Sequence, residues 1–166
     1  MNVMTRLSAP ESTPAPLEDY PALLRMIERL HRLLLDTIKD EFERLGRAEL
    51  TPVQALLLYN IGPRELSVGE LRARGFYQGS NVSYSVNKLT RAGYLAQVPC
   101  AADRRSVRVS LTEKGHEVAE IVHTLFARHA RDLPGEAGVA ATGVSDLVTT
   151  LSALEGYWTR SIRHIY

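Results

Sequence analysis

The chain has one cysteine, Cys100, in 166 residues. This excludes an internal disulfide framework and fits a reducing compartment, so a cytoplasmic location is expected. No apolar run approaches the roughly 18 residues that a bilayer crossing needs, which predicts no membrane span. The opening stretch, MNVMTRLSAPESTPAPLEDY, lacks the apolar segment of a signal peptide. Its Pro, Ser and Thr content predicts a disordered arm over residues 1–17. There is no Gly-rich phosphate loop, no close-spaced metal cluster and no Ser/His/Asp set in a recognisable context. These absences argue against an enzyme and predict no cofactor and no bound metal. No internal repeat is present. An apolar share of 45% and a charged share of 23% are those of a soluble globular chain.

Net charge is also nearly absent, at +1, but its distribution is uneven. Between Pro63 and Lys114 stand nine basic residues: Arg64, Arg72, Arg74, Lys88, Arg91, Arg104, Arg105, Arg108 and Lys114. Against them stand four acidic ones, Glu65, Glu70, Asp103 and Glu113. From Gly79 to Gly93 there is no Asp or Glu. Local basicity in a neutral chain points to a surface for a polyanion.

The hydrophobic pattern supplies the frame. Leu23, Ile27, Leu30, Leu34, Ile38 and Leu45 recur at helical spacing and predict a long amphipathic helix between Leu17 and Leu45. Thr51-Pro52-Val53-Gln54 is a capping box with proline at the first helical position. The helix behind it is apolar almost all round, which predicts burial, and Gly62-Pro63 ends it. Ser67-Val68-Gly69-Glu70 is a second box, opening a short helix to Gly75. Ser80 opens another, stopped by Gly93, and the two read as a helix–turn–helix. The period then changes to two. Tyr94 to Val98 and Ser106 to Leu111 predict a two-stranded hairpin around a loop from Pro99 to Arg105. Thr112 caps a long helix expected to break at Pro134-Gly135. A small-residue linker from Gly135 to Gly143 is expected before a last amphipathic helix with Leu147, Leu151, Leu154, Trp158, Ile162 and Ile165 on one side.

The expected fold is mainly α with a small β-hairpin: a winged helix–turn–helix with long N- and C-terminal helices. The expected boundaries are a helix over 18–50, a DNA-binding lobe over 51–112 and terminal helices over 113–166. The apolar stripes of the long helices exceed what one lobe can cover, which predicts a homodimer. Two-fold symmetry suits a reader of pseudo-palindromic double-stranded DNA.

In the helix after Gly79, Val82, Val86 and Leu89 face inward. Asn81, Tyr84, Asn87, Lys88 and Arg91 lie on the other side and can bond base edges or phosphates in the major groove. Ser80, Asn81, Ser83 and Tyr84 sit at the N-terminal end, where free N–H groups and the helix dipole favour a phosphate. In the hairpin loop, an arginine can enter the narrow minor groove, and a carboxylate can aim it through paired hydrogen bonds. Asp103 and Arg105 supply that pair. Arg104 is expected to meet a phosphate or solvent. Tyr59, Phe76 and Tyr77, with His31 and Arg64 as polar anchors, are the candidates for a small-molecule pocket.

Other readings stay open. His116, Glu120 and His123 share one helical face at metal-ligand spacing, although that face should be wet. Cys100, near arginines, is a candidate redox sensor. A winged helix can also serve as a protein-interaction module.

The stretch DRRSVRVSLTEKG, from Asp103 to Gly115, resembles the wing signature of the MarR family of dimeric winged-helix transcription regulators. The matching positions are Asp103, Arg105, Leu111, Thr112 and Gly115. NKLTRAGYL resembles the end of that family's recognition helix, with Leu89 and Gly93 in place. The resemblance implies that Arg105 enters a minor groove and that Asp103 orients the wing. It further implies that a small effector, often an aromatic acid, binds between the long helices and the DNA-binding lobe. It does not favour Cys100 as a sensor, because the family's peroxide sensors carry their cysteine near the N-terminus.

Overall fold

Three helix starts anticipated from the sequence form through the hydrogen bonds that the caps require. The computed structural model describes residues 17–47, 49–73, 80–99 and 107–163. At Thr51 the box closes in both directions: Gln54 N–H donates to Thr51 Oγ1 at 3.3 Å and Thr51 N–H to Gln54 Oε1 at 3.1 Å. At Ser67 the pair repeats, with Glu70 N–H on Ser67 Oγ at 3.1 Å and Ser67 N–H on Glu70 Oε2 at 2.6 Å. At Thr112 the side chain accepts from Gly115 N–H at 3.2 Å.

The elements are α1 (Tyr20–Arg44), α2 (Pro52–Ile61), β1 (Leu66–Ser67), α3 (Val68–Ala73), α4 (Ser80–Arg91), β2 (Leu95–Pro99), β3 (Val107–Leu111), α5 (Glu113–Glu136) and α6 (Ala141–Arg163). Residues 1–16 of the expected arm, Phe76, Tyr77, Cys100, Asp103, Arg104 and Arg105 lie outside the described residues.

The strands form one antiparallel sheet in the order β1-β3-β2, with Leu66 opposite Val109 on one side and Gln97 opposite Val109 on the other. The expected two-stranded hairpin is therefore corrected to three strands. β1 is two residues long, too short to show a period, and its Ser67 reads first as a helix cap.

The break expected at Pro134-Gly135 is corrected too: α5 runs to Glu136 with Pro134 inside it. Proline at that place removes one ladder bond near the end of the helix, a smaller loss than in its middle. Ala137 N–H still closes on Leu133 O at 3.0 Å. The turn falls to Gly138, whose φ of 63° is open to glycine. The linker is thus residues 137–140 rather than Gly135 to Gly143.

The core is built around α2. Leu57, Leu58 and Ile61 of α2 are fully buried with Val118, Val122 and Leu125 of α5, Leu71 of α3, Val86 and Leu89 of α4 and Val109 of β3. Tyr59 and Phe126 meet edge to face at 5.1 Å. From α1 only the C-terminal half joins, through Ile38 and Phe42. Its remaining apolar stripe, Met26, Leu30, Leu33 and Leu34, is exposed, as are Leu147, Val148, Tyr157 and Ile162 of α6. No single helix among the described residues is long and apolar enough to cross a membrane.

One buried charge ties α1 to α5. Glu41, 8% exposed, accepts from Arg44 at 2.8 and 3.0 Å and from Arg128 at 3.0 and 3.4 Å. These hydrogen bonds, Arg44's first, outweigh the desolvation that opposes them and pull the carboxyl down to about 2. Both arginines are partly in water, which screens the gain. Glu41→Gln should therefore cost about 1–2 kcal/mol at neutral pH. A carboxyl depressed on folding stabilises above the ordinary carboxylate range and loses that effect as pH falls toward about 2. Denaturant unfolding of both proteins should give curves that separate above about pH 4.5 and converge below it. A gap that persists unchanged at low pH would assign the loss to packing instead.

Candidate nucleic-acid interface

α4 presents two unlike faces. Val86 and Leu89 are each 1% exposed, whereas Tyr84 is 70% exposed and Asn87, Lys88 and Arg91 are also on the surface. Ser83 is half-buried, and Ser80 and Asn81 fall in the first turn. The structure thus gathers the described members of the expected DNA-facing set on one helix. That helix has no acidic residue in its first turn and has Lys88 and Arg91 in its last.

The end of α4 is fixed twice. Gly93, at φ 79°, reverses the chain in the left-handed region, and Tyr94 N–H returns to Leu89 O at 2.9 Å. The start of α5 then clamps the same turn. Thr112 N–H donates to Tyr94 O at 3.1 Å and its hydroxyl to Gly93 O at 2.7 Å. Lys114 donates to Ala92 O at 3.1 Å and lies 4.1 Å from the centre of the Tyr94 ring. A Cβ on Gly115 would stand 2.2 Å from Tyr94 O. The Thr-Glu-Lys-Gly signal is therefore a joint between α4 and α5 as well as a helix start.

Among the described basic residues of that stretch, two hold the fold rather than a free surface. One is Lys114. The other is Arg108, whose guanidinium donates to Glu65 O at 2.7 Å with Glu65 Oε2 at 3.7 Å. Gln97, given no task by the sequence, lies on β2 against α4 and donates to Thr90 Oγ1 at 3.0 Å and Asn87 Oδ1 at 3.4 Å. A strand residue without a charge or a motif carries no signal for such a contact.

A groove of about 470 Å³ opens between the end of α2 and the first half of α5. Tyr59 and Arg64 line it, as expected for a pocket, but His31 does not. Helical spacing places His31 on α1 without saying which part of α1 meets α2. His116, Glu120 and His123 line the same groove and are exposed. Among the described residues no group of three or more His, Cys, Asp or Glu is arranged to hold a metal ion.

Residues 50–115 match a family model described as a winged helix DNA-binding domain. Over 148 residues the chain is 33% identical to the exopolysaccharide II synthesis transcriptional activator ExpG of Rhizobium meliloti (strain 1021). That match covers 89% of this chain and 76% of ExpG. The fold is similar to the crystal structure of the transcriptional regulator SlyA, with a TM-score of 0.72 and 19% identity over 87% of this chain and 99% of SlyA. It is also similar to a mutant of MarR from E. coli complexed with operator DNA, with a TM-score of 0.63 and 19% identity over 84% of this chain and 99% of that one.

Proposed function

Since the chain belongs to the MarR family of winged-helix transcriptional regulators, we propose that it acts in the cytoplasm as a homodimer on a pseudo-palindromic operator. Residues 18–50 and 113–166 supply the dimer contacts and residues 51–112 the DNA-binding lobe. It is a regulator and not an enzyme.

The observation that carries this reading is the outward face of α4. Tyr84, Asn87, Lys88 and Arg91 stand together on a helix of the right width for a major groove. Ser80, Asn81 and Ser83 sit at its N-terminal end, where backbone N–H groups attract a phosphate. The exposed stripes of α1 and α6 support the dimer, because patches of that length are covered in stable proteins. Two copies of α4 then enter successive major grooves about 34–36 Å apart. Arg105, aimed by Asp103, reaches the flanking minor groove, and Arg104 meets a phosphate or solvent. A small, often aromatic, acid in the groove beside Tyr59 and Arg64 shifts the spacing of the two lobes and weakens DNA binding by its differential affinity.

Affinity for operator DNA should fall steeply with salt, by about 0.9 log units per log unit of salt for each phosphate neutralised. No salt-sensitive binding to any genomic fragment, its own promoter region included, would contradict the regulator reading. Arg105→Ala should weaken operator binding about tenfold, the size of one charge-assisted hydrogen bond, and leave the sedimentation of the dimer unchanged. An unchanged affinity would mean that Arg105 makes no contact with the DNA.

A further inference from the structure

The hydrogen bonds between β2 and α4 have a fixed direction. The Thr90 hydroxyl donates its one proton to Val86 O at 2.8 Å. Its oxygen can therefore only accept from Gln97, 3.0 Å away, so the Gln97 amide nitrogen and not its oxygen faces α4. The second proton of that nitrogen goes to Asn87, 3.4 Å away, and the atom that accepts it is Oδ1. Asn and Gln amides offer a donor end and an acceptor end, and this chain of bonds decides which end of Asn87 is used inside the protein. The Asn87 acceptor is turned toward β2. Its Nδ2, with two protons, is turned away from β2 on a residue exposed to solvent.

We propose that Gln97 is a positioning residue that holds the Asn87 amide donor outward, so that Asn87 selects a base with a keto group over one with an amino group. The inference rests on the reading that α4 faces the bases. In the major groove guanine offers O6 and N7 and thymine offers O4, all acceptors. Adenine and cytosine place an amino donor at the matching position, where it would face the donor of Asn87. An Asn free to turn over would accept either kind. Gln97 removes that freedom without touching the DNA.

The test is selection of bound sequences from random DNA with the full chain, run on wild type and four variants. Asn87→Ala identifies the base position that Asn87 reads, as the one whose preference disappears. At that position wild type should favour guanine or thymine by about threefold to tenfold, the size of one net hydrogen bond. Gln97→Met keeps the length of the side chain and removes its protons, so the preference should shrink to below about twofold. Thr90→Val removes the acceptor that orients Gln97 and should shrink it likewise, without changing β2. Gln97→Glu supplies only acceptors. Asn87 should then turn its nitrogen toward the introduced carboxylate, and the preference should invert to adenine or cytosine. The added negative charge will lower affinity for all DNA, so the ratio between bases is the readout. Thermal unfolding of each variant separates loss of fold from loss of selectivity. A merely structural Gln97 would change affinity or stability and leave the ranking of bases alone. An unchanged ranking in Gln97→Glu, or no position affected by Asn87→Ala, would overturn the proposal. Failure of wild type to enrich any sequence would instead refute the α4 reading on which it rests.

Discussion

Gly115→Ala is expected to destabilise the protein by about 3 kcal/mol, lowering the thermal midpoint by roughly 6–12 °C. The added methyl would meet Tyr94 O at 2.2 Å and Tyr94 C at 3.3 Å. These are backbone atoms, so no side-chain rotation relieves the overlap. Tyr94 O also accepts from Thr112 N–H, and Tyr94 N–H closes the turn on Leu89 O. Moving that carbonyl strains the end of α4 and the start of α5 together. Helix propensity alone argues the other way, since Gly to Ala inside a helix is favourable by up to about 1 kcal/mol. Gly135 of the same helix shows that contrast. Nothing lies within 4 Å of a Cβ there, and Gly135→Ala should be neutral or slightly stabilising. Equal midpoints for the two variants would mean that the α4–α5 joint is loose.

Reversing two charges on α4, Lys88→Glu with Arg91→Glu, should reduce operator affinity by on the order of a hundredfold or more. Both side chains are exposed in the last turn of α4. On the proposed reading each side chain meets a phosphate through a charge-assisted bond, and each introduced carboxylate would repel that phosphate. The loss should extend to random DNA, because phosphate contacts position the protein without reading sequence. The slope of affinity against salt should fall by about two. The fold should persist, because neither residue belongs to the core. Fluorescence anisotropy across a salt series gives both quantities. An affinity within a factor of about two of wild type would place the DNA on another face.

Helix starts were legible in the sequence because a cap acts over three or four residues, whereas the stop at Pro134-Gly135 was misplaced by a turn that falls to Gly138. The boxes at Thr51 and Ser67 and the cap at Thr112 are readable as letters and form as bonds. The inward and outward faces of α4 followed from spacing alone, and the winged-helix order followed from the change of period. Contacts between distant segments were not legible. β1 is two residues whose partner lies more than forty positions on. Gly115 reads as a poor helix former until Tyr94 O is placed against it. His31 shares a helix with residues that reach the core, yet it stands outside the groove that Tyr59 and Arg64 line. His116 and His123 have spacing that suggests a metal, but they and Glu120 line that groove in an arrangement not suited to hold an ion. For β1, Gly115 and His31 the missing information was which distant segment packs beside the residue.

Two copies of this chain are proposed to read DNA together through α4. Selection from random duplexes by the full chain, followed by footprinting on the enriched sequence, distinguishes paired from single reading. The expected result is an inverted repeat whose half-site centres lie about 10–10.5 base pairs apart, with protection on one face of the duplex. A single unrepeated half-site, or binding with no enriched sequence, would contradict it.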